Sequence, residues 1–190
     1  MEKPDIYGSS SSVRRIGAVT CSRDYRPFAP CGIVSSMTSR GRTAVEAAEP
    51  HGRELALFLS VHRDRAPGLL WPEYEHPAYR ADATTAAVEL LASSLERATG
   101  RPVRTVREGG NGRTVHYEAV PDHVMVHQTT GAGDWLVSAS PSAAPVLQCR
   151  LRASEVLYVP PQHAWRAELS STARYLVTYI GANVVPGLTR

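Results

Sequence analysis

Lysine is almost absent from this chain: Lys3 is the only one, and the net charge of +3 is spread over scattered arginines. With no dense basic run to track phosphates, nucleic acid is not an expected partner. Cysteine is scarce as well. Cys21, Cys31 and Cys149 form no CxxC pair and cannot all be joined within one chain, so neither a zinc knuckle nor a disulfide framework is indicated, and a reducing cytoplasmic setting is expected. No apolar stretch approaches the ~20 residues a membrane span requires, and Ile16-Gly17-Ala18-Val19 is too short for a signal-peptide core, so no membrane partner is expected either. A P-loop, a Ser/His/Asp order and a helix-opening GxGxxG are missing too. Gly109-Gly110-Asn111-Gly112 precedes a strand pattern instead, which makes it a loop.

What remains is an ordinary globular composition, 43% hydrophobic and 21% charged, in a length that suits one core. Residues 1–45 are rich in Ser, Arg, Gly and Pro and read as a flexible tail, within which Met37 is an alternative start. Residues 46–102 read as a strand, a loop and a helix that pack on the core formed by 103–190. Within them, Leu55, Leu57 and Leu59 alternate with Ala56, Phe58 and Ser60, which predicts a strand over Arg53–Val61, a short buried helix being the alternative. Pro67 to Tyr79 is a loop by its prolines, anchored by Trp71, Tyr74 and Tyr79. Asp82 is a suitable N-cap for a helix whose Val88, Leu91, Leu95 and Ala98 share a face and which Gly100 and Pro102 stop. Beyond Gly100 the period drops to two. Strands are predicted at Val103–Val106, Thr114–Glu118, His123–Gln128, Trp135–Ser138, Val146–Leu151, Val156–Val159 and Arg174–Ile180, a mainly β sandwich or barrel.

Two stretches narrow that class. Gly110 leads into His116-Tyr117-Glu118, and Leu151 to Pro161 precedes a turn holding His163 and Trp165. Residues two apart on a strand point the same way, so His116 and Glu118 are expected to face the barrel interior together and grip one cation, with a third ligand from a facing strand. A two-histidine, one-carboxylate set with open positions suits Fe(II) and oxygen chemistry. The stretch from His116 through Asp122–Gln128, Gly131, Trp135, Leu151–Pro161 and Thr178-Tyr179-Ile180-Gly181 resembles the JmjC-like cupin hydroxylases, double-stranded β-helix proteins with one or two leading helices. The resemblance implies Fe(II) held by His116, Glu118 and His163, with 2-oxoglutarate anchored by a basic side chain. The motif is degenerate in three places. Glu118 stands where the family has Asp, the distal ligand position falls on Trp165 with His163 two residues before it, and Gly131-Ala132-Gly133-Asp134-Trp135 lacks the basic anchor. Arg150, Arg152, Arg166 and Arg174 are the candidates to replace that anchor, with Arg166 and Arg174 taken as the cofactor-binding pair.

Trp135, Tyr158, Trp165 and His127 are the candidate walls of a substrate pocket, with core packing as the alternative for Trp135 and Tyr158. His123 and His127 share a strand face with Met125 and read as packed, hydrogen-bonded histidines. Three functions follow from these residues. The first is a non-haem Fe(II) hydroxylase acting on a small molecule or peptide in specialised metabolism. The second is a non-redox cupin, a cyclase, isomerase or lyase using Glu118 and the histidines as acid and base. The third is a catalytically inactive cupin acting as a binding subunit. Pairing through the sheets into a homodimer is the oligomeric expectation.

Overall fold

The structure is a computed structural model and describes residues 44–110 and 112–181 of the 190-residue chain. The proposed tail, with Cys21, Cys31 and Met37, lies outside the described residues apart from its last two positions. Helix α1 (Ala44–His62) is followed by a short strand β1 (Gly68–Leu70), a 3-10 turn (Pro77–Tyr79) and helix α2 (Thr85–Thr99). Eight strands complete the chain: β2 (Val103–Gly109), β3 (Thr114–Tyr117), β4 (His123–Thr130), β5 (Ala132–Ser138), β6 (Pro145–Arg152), β7 (Val156–Val159), β8 (Ala164–Leu169) and β9 (Arg174–Ile180). No helix among the described residues is long and apolar enough to cross a membrane.

The strands form two sheets, in the orders β1-β7-β4-β9-β2 and β3-β8-β5-β6, with antiparallel pairing throughout. The pairing follows one rule. β2 pairs with β9, β3 with β8, β4 with β7 and β5 with β6, so β2 to β9 is one long hairpin folded at the β5–β6 turn. Because successive strand pairs fall in alternate sheets, this ribbon winds helically around a common interior. It is the double-stranded β-helix of the cupins, the mainly β class with leading helices that the sequence implied.

Two layers of core result. Between the sheets lie Val124, Val126, Trp135, Val137, Leu157, Val159, Trp165, Ala167, Tyr175 and Val177. On the outer face of the first sheet, Leu55 and Leu59 of α1 and Leu91 and Leu95 of α2 pack on Met125, Tyr158, Leu176 and Ile180. β4 is therefore buried on both faces: its even-numbered valines point between the sheets while His123, Met125 and His127 point to the helices.

Several local expectations need correction. Arg53–Val61 lies inside α1, and its period is helical: Leu55 and Leu59, four apart, are 0% and 4% exposed, whereas Leu57 between them is 68% exposed. The proline-rich loop contains β1 and the 3-10 turn. Thr84, not Asp82, caps α2, its hydroxyl accepting the Ala87 N–H at 3.3 Å, while Gly100 ends the helix in the left-handed conformation as expected. Strand β8 stands where a turn was read, because Trp165, Ala167 and Leu169 alternate with Arg166 and Glu168 over too short a run to stand out.

Gly131 joins β4 to β5 at φ +66°, and a Cβ there would lie 2.7 Å from Ser170 Oγ and 2.8 Å from the Ala173 nitrogen. Both the backbone and the space demand glycine. Gly131→Ala is expected to destabilise the fold by about 1–3 kcal/mol in urea unfolding followed by tryptophan fluorescence.

Candidate functional site

The site implied by sequence depends on which side chains of β3 enter the barrel. β3 lies at the edge of the second sheet and pairs only with β8, in the register Thr114↔Glu168, Val115↔Ala167, His116↔Arg166 and Tyr117↔Trp165. Val115 and Tyr117 pack into the interior core, and Ala167 and Trp165 meet them there. His116 and Glu118 share a face, as expected. It is the other face, and both are exposed to solvent, which corrects the expectation that they point inward. A strand with one buried face turns its more apolar set inward, and here Val and Tyr outweigh His and Glu.

The interior is filled. The Tyr117 ring stacks on Trp165 with centroids 3.7 Å apart and planes 10° from parallel, and its hydroxyl bonds that of Tyr175 at 2.7 Å. Trp135 closes the group, 5.8 Å from Trp165 and edge-on to Tyr175 at 5.3 Å. His163 lies apart in the β7–β8 turn, half-buried, where its Nδ1–H donates to the Pro161 carbonyl at 2.9 Å. Arg166 projects from the outer face, and Arg174, also exposed, donates to the carbonyl of its neighbour Ala173.

These residues do not fit Fe(II) or 2-oxoglutarate inside the barrel. Phenol and indole rings fill the space beside β3 and β8, and no three His, Cys, Asp or Glu side chains among the described residues converge on a point. The buried polar atoms without partners near these rings include the indole N–H groups of Trp135 and Trp165, which are donors and cannot ligate a cation. Neither arginine taken as the anchor enters to hold a carboxylate, since Arg166 and Arg174 face solvent.

The expected site residues do assemble elsewhere. His116, Glu118 and Arg166 border a cavity of about 440 Å³ on the outer face of the second sheet, with Leu136, Pro141 and Ala143 among its apolar walls. None of the three polar side chains has a hydrogen-bond or ion-pair partner among the described residues. The predicted walls are buried instead: Trp135 and Trp165 between the sheets, and Tyr158 and His127 under the helices.

His127 belongs to a polar cluster in which sequence reasoning missed His51 and His76. His51 bonds the Tyr74 carbonyl at 2.7 Å through Nδ1 and the Tyr79 hydroxyl at 2.6 Å through Nε2. Tyr79 meets His127 Nδ1 at 2.6 Å, His127 Nε2 meets Thr178 Oγ1 at 3.0 Å, and Thr178 meets Thr105 at 3.0 Å. A carbonyl can only accept, so His51 carries its proton on Nδ1 and its bare Nε2 accepts from Tyr79. The tyrosine oxygen then accepts from His127 Nδ1–H, whose bare Nε2 accepts from Thr178. Every bond runs one way, with both imidazoles neutral. His123, as expected, is also packed and bonded, to the Tyr158 hydroxyl at 2.9 Å. No sequence pattern links His51 or His76 to His127, because α1 and the 3-10 turn reach β4 only through the fold.

Burial sets the ionisation of this cluster. It holds His127 well below the ordinary 6.5, lowers His51, and pushes His76 down to about 4 with help from the neighbouring His51; it holds the Tyr79 phenol well above 10. His76 accepts the Ala78 N–H through Nδ1 at 3.1 Å, which leaves its Nε2 proton buried without a partner.

No protein-family model and no curated protein matches this chain. Among solved structures, the YcfD ribosomal oxygenase of Escherichia coli in complex with cobalt and 2-oxoglutarate is 15% identical over 68% of this chain and 52% of that one, at a TM-score of 0.49. Another structure of that oxygenase is 19% identical over 50% of this chain and 29% of its own, at 0.38. An 11S globulin from Wrightia tinctoria, described with an auxin binding site, is 14% identical over 47% and 22%, also at 0.38. The chain thus spans about half or less of these proteins. Its cupin fold rests on its own strand pairing.

Two predictions follow from the buried histidines. Their folded-state values lie below the unfolded value of 6.5, so the unfolded chain takes up protons first. Stability is fully present above pH 6.5 and falls as the pH drops toward about 4, by up to roughly 1.4 kcal/mol per pH unit for each histidine kept neutral. Urea midpoints measured from pH 7 to 4.5 should show this slope, shallower in His76→Gln. Tyr79→Phe strips partners from His51 Nε2 and His127 Nδ1–H together, and calorimetry should register a loss of about 2–4 kcal/mol.

Proposed function

We propose that this chain is a cupin-fold binding protein whose barrel is packed shut against metal chemistry and whose ligand site lies on the outer face of the second sheet. The observation that carries this reading is the Tyr117–Trp165 stack, which takes up interior space between β3 and β8 and turns His116 and Glu118 outward. A small molecule suits the outer groove, whose volume lies within the ordinary range for such ligands and whose walls combine apolar surface with a few polar groups. In this reading His116, Glu118 and Arg166 recognise a ligand, and none of them activates oxygen.

The test is anaerobic reconstitution of the full chain with Fe(II) and 2-oxoglutarate, followed by desalting, metal analysis and assay of succinate on admitting oxygen. Substoichiometric iron, unchanged in a His116→Ala, Glu118→Ala double variant, with no succinate above a protein-free control, is the expected result. Stoichiometric iron that the double variant loses, accompanied by succinate formation, would overturn the reading.

A further inference from the structure

The geometry points to a specific chemistry for the outer groove: a small zwitterion with an apolar tail, of the α-amino-acid type. Arg166 takes its carboxylate, Glu118 its ammonium, and Leu136, Pro141 and Ala143 its tail. This inference rests on the outer groove being the ligand site.

The spacing comes from the sheet. His116 and Arg166 stand directly opposite each other, which places their Cβ atoms about 5 Å apart. Glu118 follows His116 on the same side by ~6.6 Å, diagonal to Arg166 at about 7–8 Å. Both side chains are long enough to close that gap and form an ion pair, yet no such pair exists within 4.0 Å. Elsewhere on the same face the sheet does neutralise itself: Asp134 and Arg150, opposite each other on β5 and β6, pair at 3.1 Å. The groove keeps a carboxylate and a guanidinium apart across a cavity, with an imidazole beside the guanidinium.

A ligand that fills the gap must present opposite charges in opposite order over a short distance. An α-amino acid does so from one carbon, and its planar carboxylate suits the fork of Arg166, with His116 placed to donate to the same group. The β5–β6 connection, through Pro141 and Ala143, shelters one side, and apolar walls lower the local dielectric, so both ion pairs are stronger here than on open surface. The tail has apolar surface waiting for it. A lone anion would leave Glu118 unpaired and repelling, and a lone cation would do the same to Arg166.

The probe is leucine, titrated into the full-length protein by calorimetry and by amide chemical shifts, beside N-acetyl-leucine, leucinamide and the dipeptide leucyl-leucine. Saturable binding of leucine is expected, roughly tenfold or more weakened in each blocked analogue and in Arg166→Gln and Glu118→Gln, exposed changes that leave the melting temperature unaltered. The inference is overturned by absence of saturable leucine binding, by equal binding of leucine and N-acetyl-leucine, by affinity indifferent to both variants, or by binding of the dipeptide alone. Iron content of the same samples separates the two claims. Leucine binding in a protein that also takes up stoichiometric iron keeps this inference and defeats the closed barrel, whereas an iron-free protein that ignores leucine defeats this inference only.

Discussion

The contact on which this molecule's chemistry turns is the stack of Tyr117 on Trp165. Side chains alternate along a strand, so fixing one residue of β3 fixes them all, and the stack holds Tyr117 inside. From that single choice follow the outward His116 and Glu118, the filled interior and the polar groove on the outer face. The hydroxyl bond between Tyr117 and Tyr175 reinforces it, because a phenol that had to leave the core would abandon both a ring partner and a hydrogen bond.

The same alternation explains what could be read without coordinates. Spacing is legible: His116 and Glu118 were assigned to one face and do share it. Polarity is not, because the strand's two faces differ only in whether Val115 and Tyr117 or their neighbours win the interior, and that contest is decided by Trp165, which stands far along the chain. α2 was legible because its apolar face, cap and terminal glycine agree with one another. α1 was not, since alternating Leu and Ala satisfy a strand pattern as well as a helix one until burial shows that Leu57 is left outside. β8 was hidden by its own start: a histidine and a tryptophan after two prolines look like one turn, and only the pairing with β3 and β5 shows that the turn ends at His163 and the strand begins at Ala164.

The buried histidines show the opposite economy of polar groups. β4 has no solvent face over His123 to Gln128, so its histidines had to find partners within the fold: His127 bonds Tyr79 of the 3-10 turn, itself held by His51 of α1, and Thr178 of β9, while His123 bonds Tyr158 of β7. The one-way order of the bonds leaves no proton to spare and no charged end. Such a chain specifies how the helices sit on the sheet, since a shift of α1 would break bonds that no water could replace at that depth. Polar groups here fix the architecture, whereas His116, Glu118 and Arg166 on the second sheet have no partner among the described residues.

Could the barrel gain a metal site by a slip of β3? A one-residue shift would send His116 and Glu118 inward, and β3 is short and held on one side only, so few backbone bonds oppose it. The side chains oppose it strongly. The half-buried Tyr117 and Val115 would pass into water at up to about 1.5 kcal/mol each, and Trp165 would lose its stacking partner. Glu118 would enter a space lined by rings and aliphatic groups without a cation waiting, and an uncompensated carboxylate there is far more costly than the exposed apolar surface. A metal could offset that penalty only if a further ligand stood opposite, and opposite stands Trp165. Building a metal centre therefore needs a change on β8 as well as on β3, and a chain that has neither keeps His116 and Glu118 on the outside.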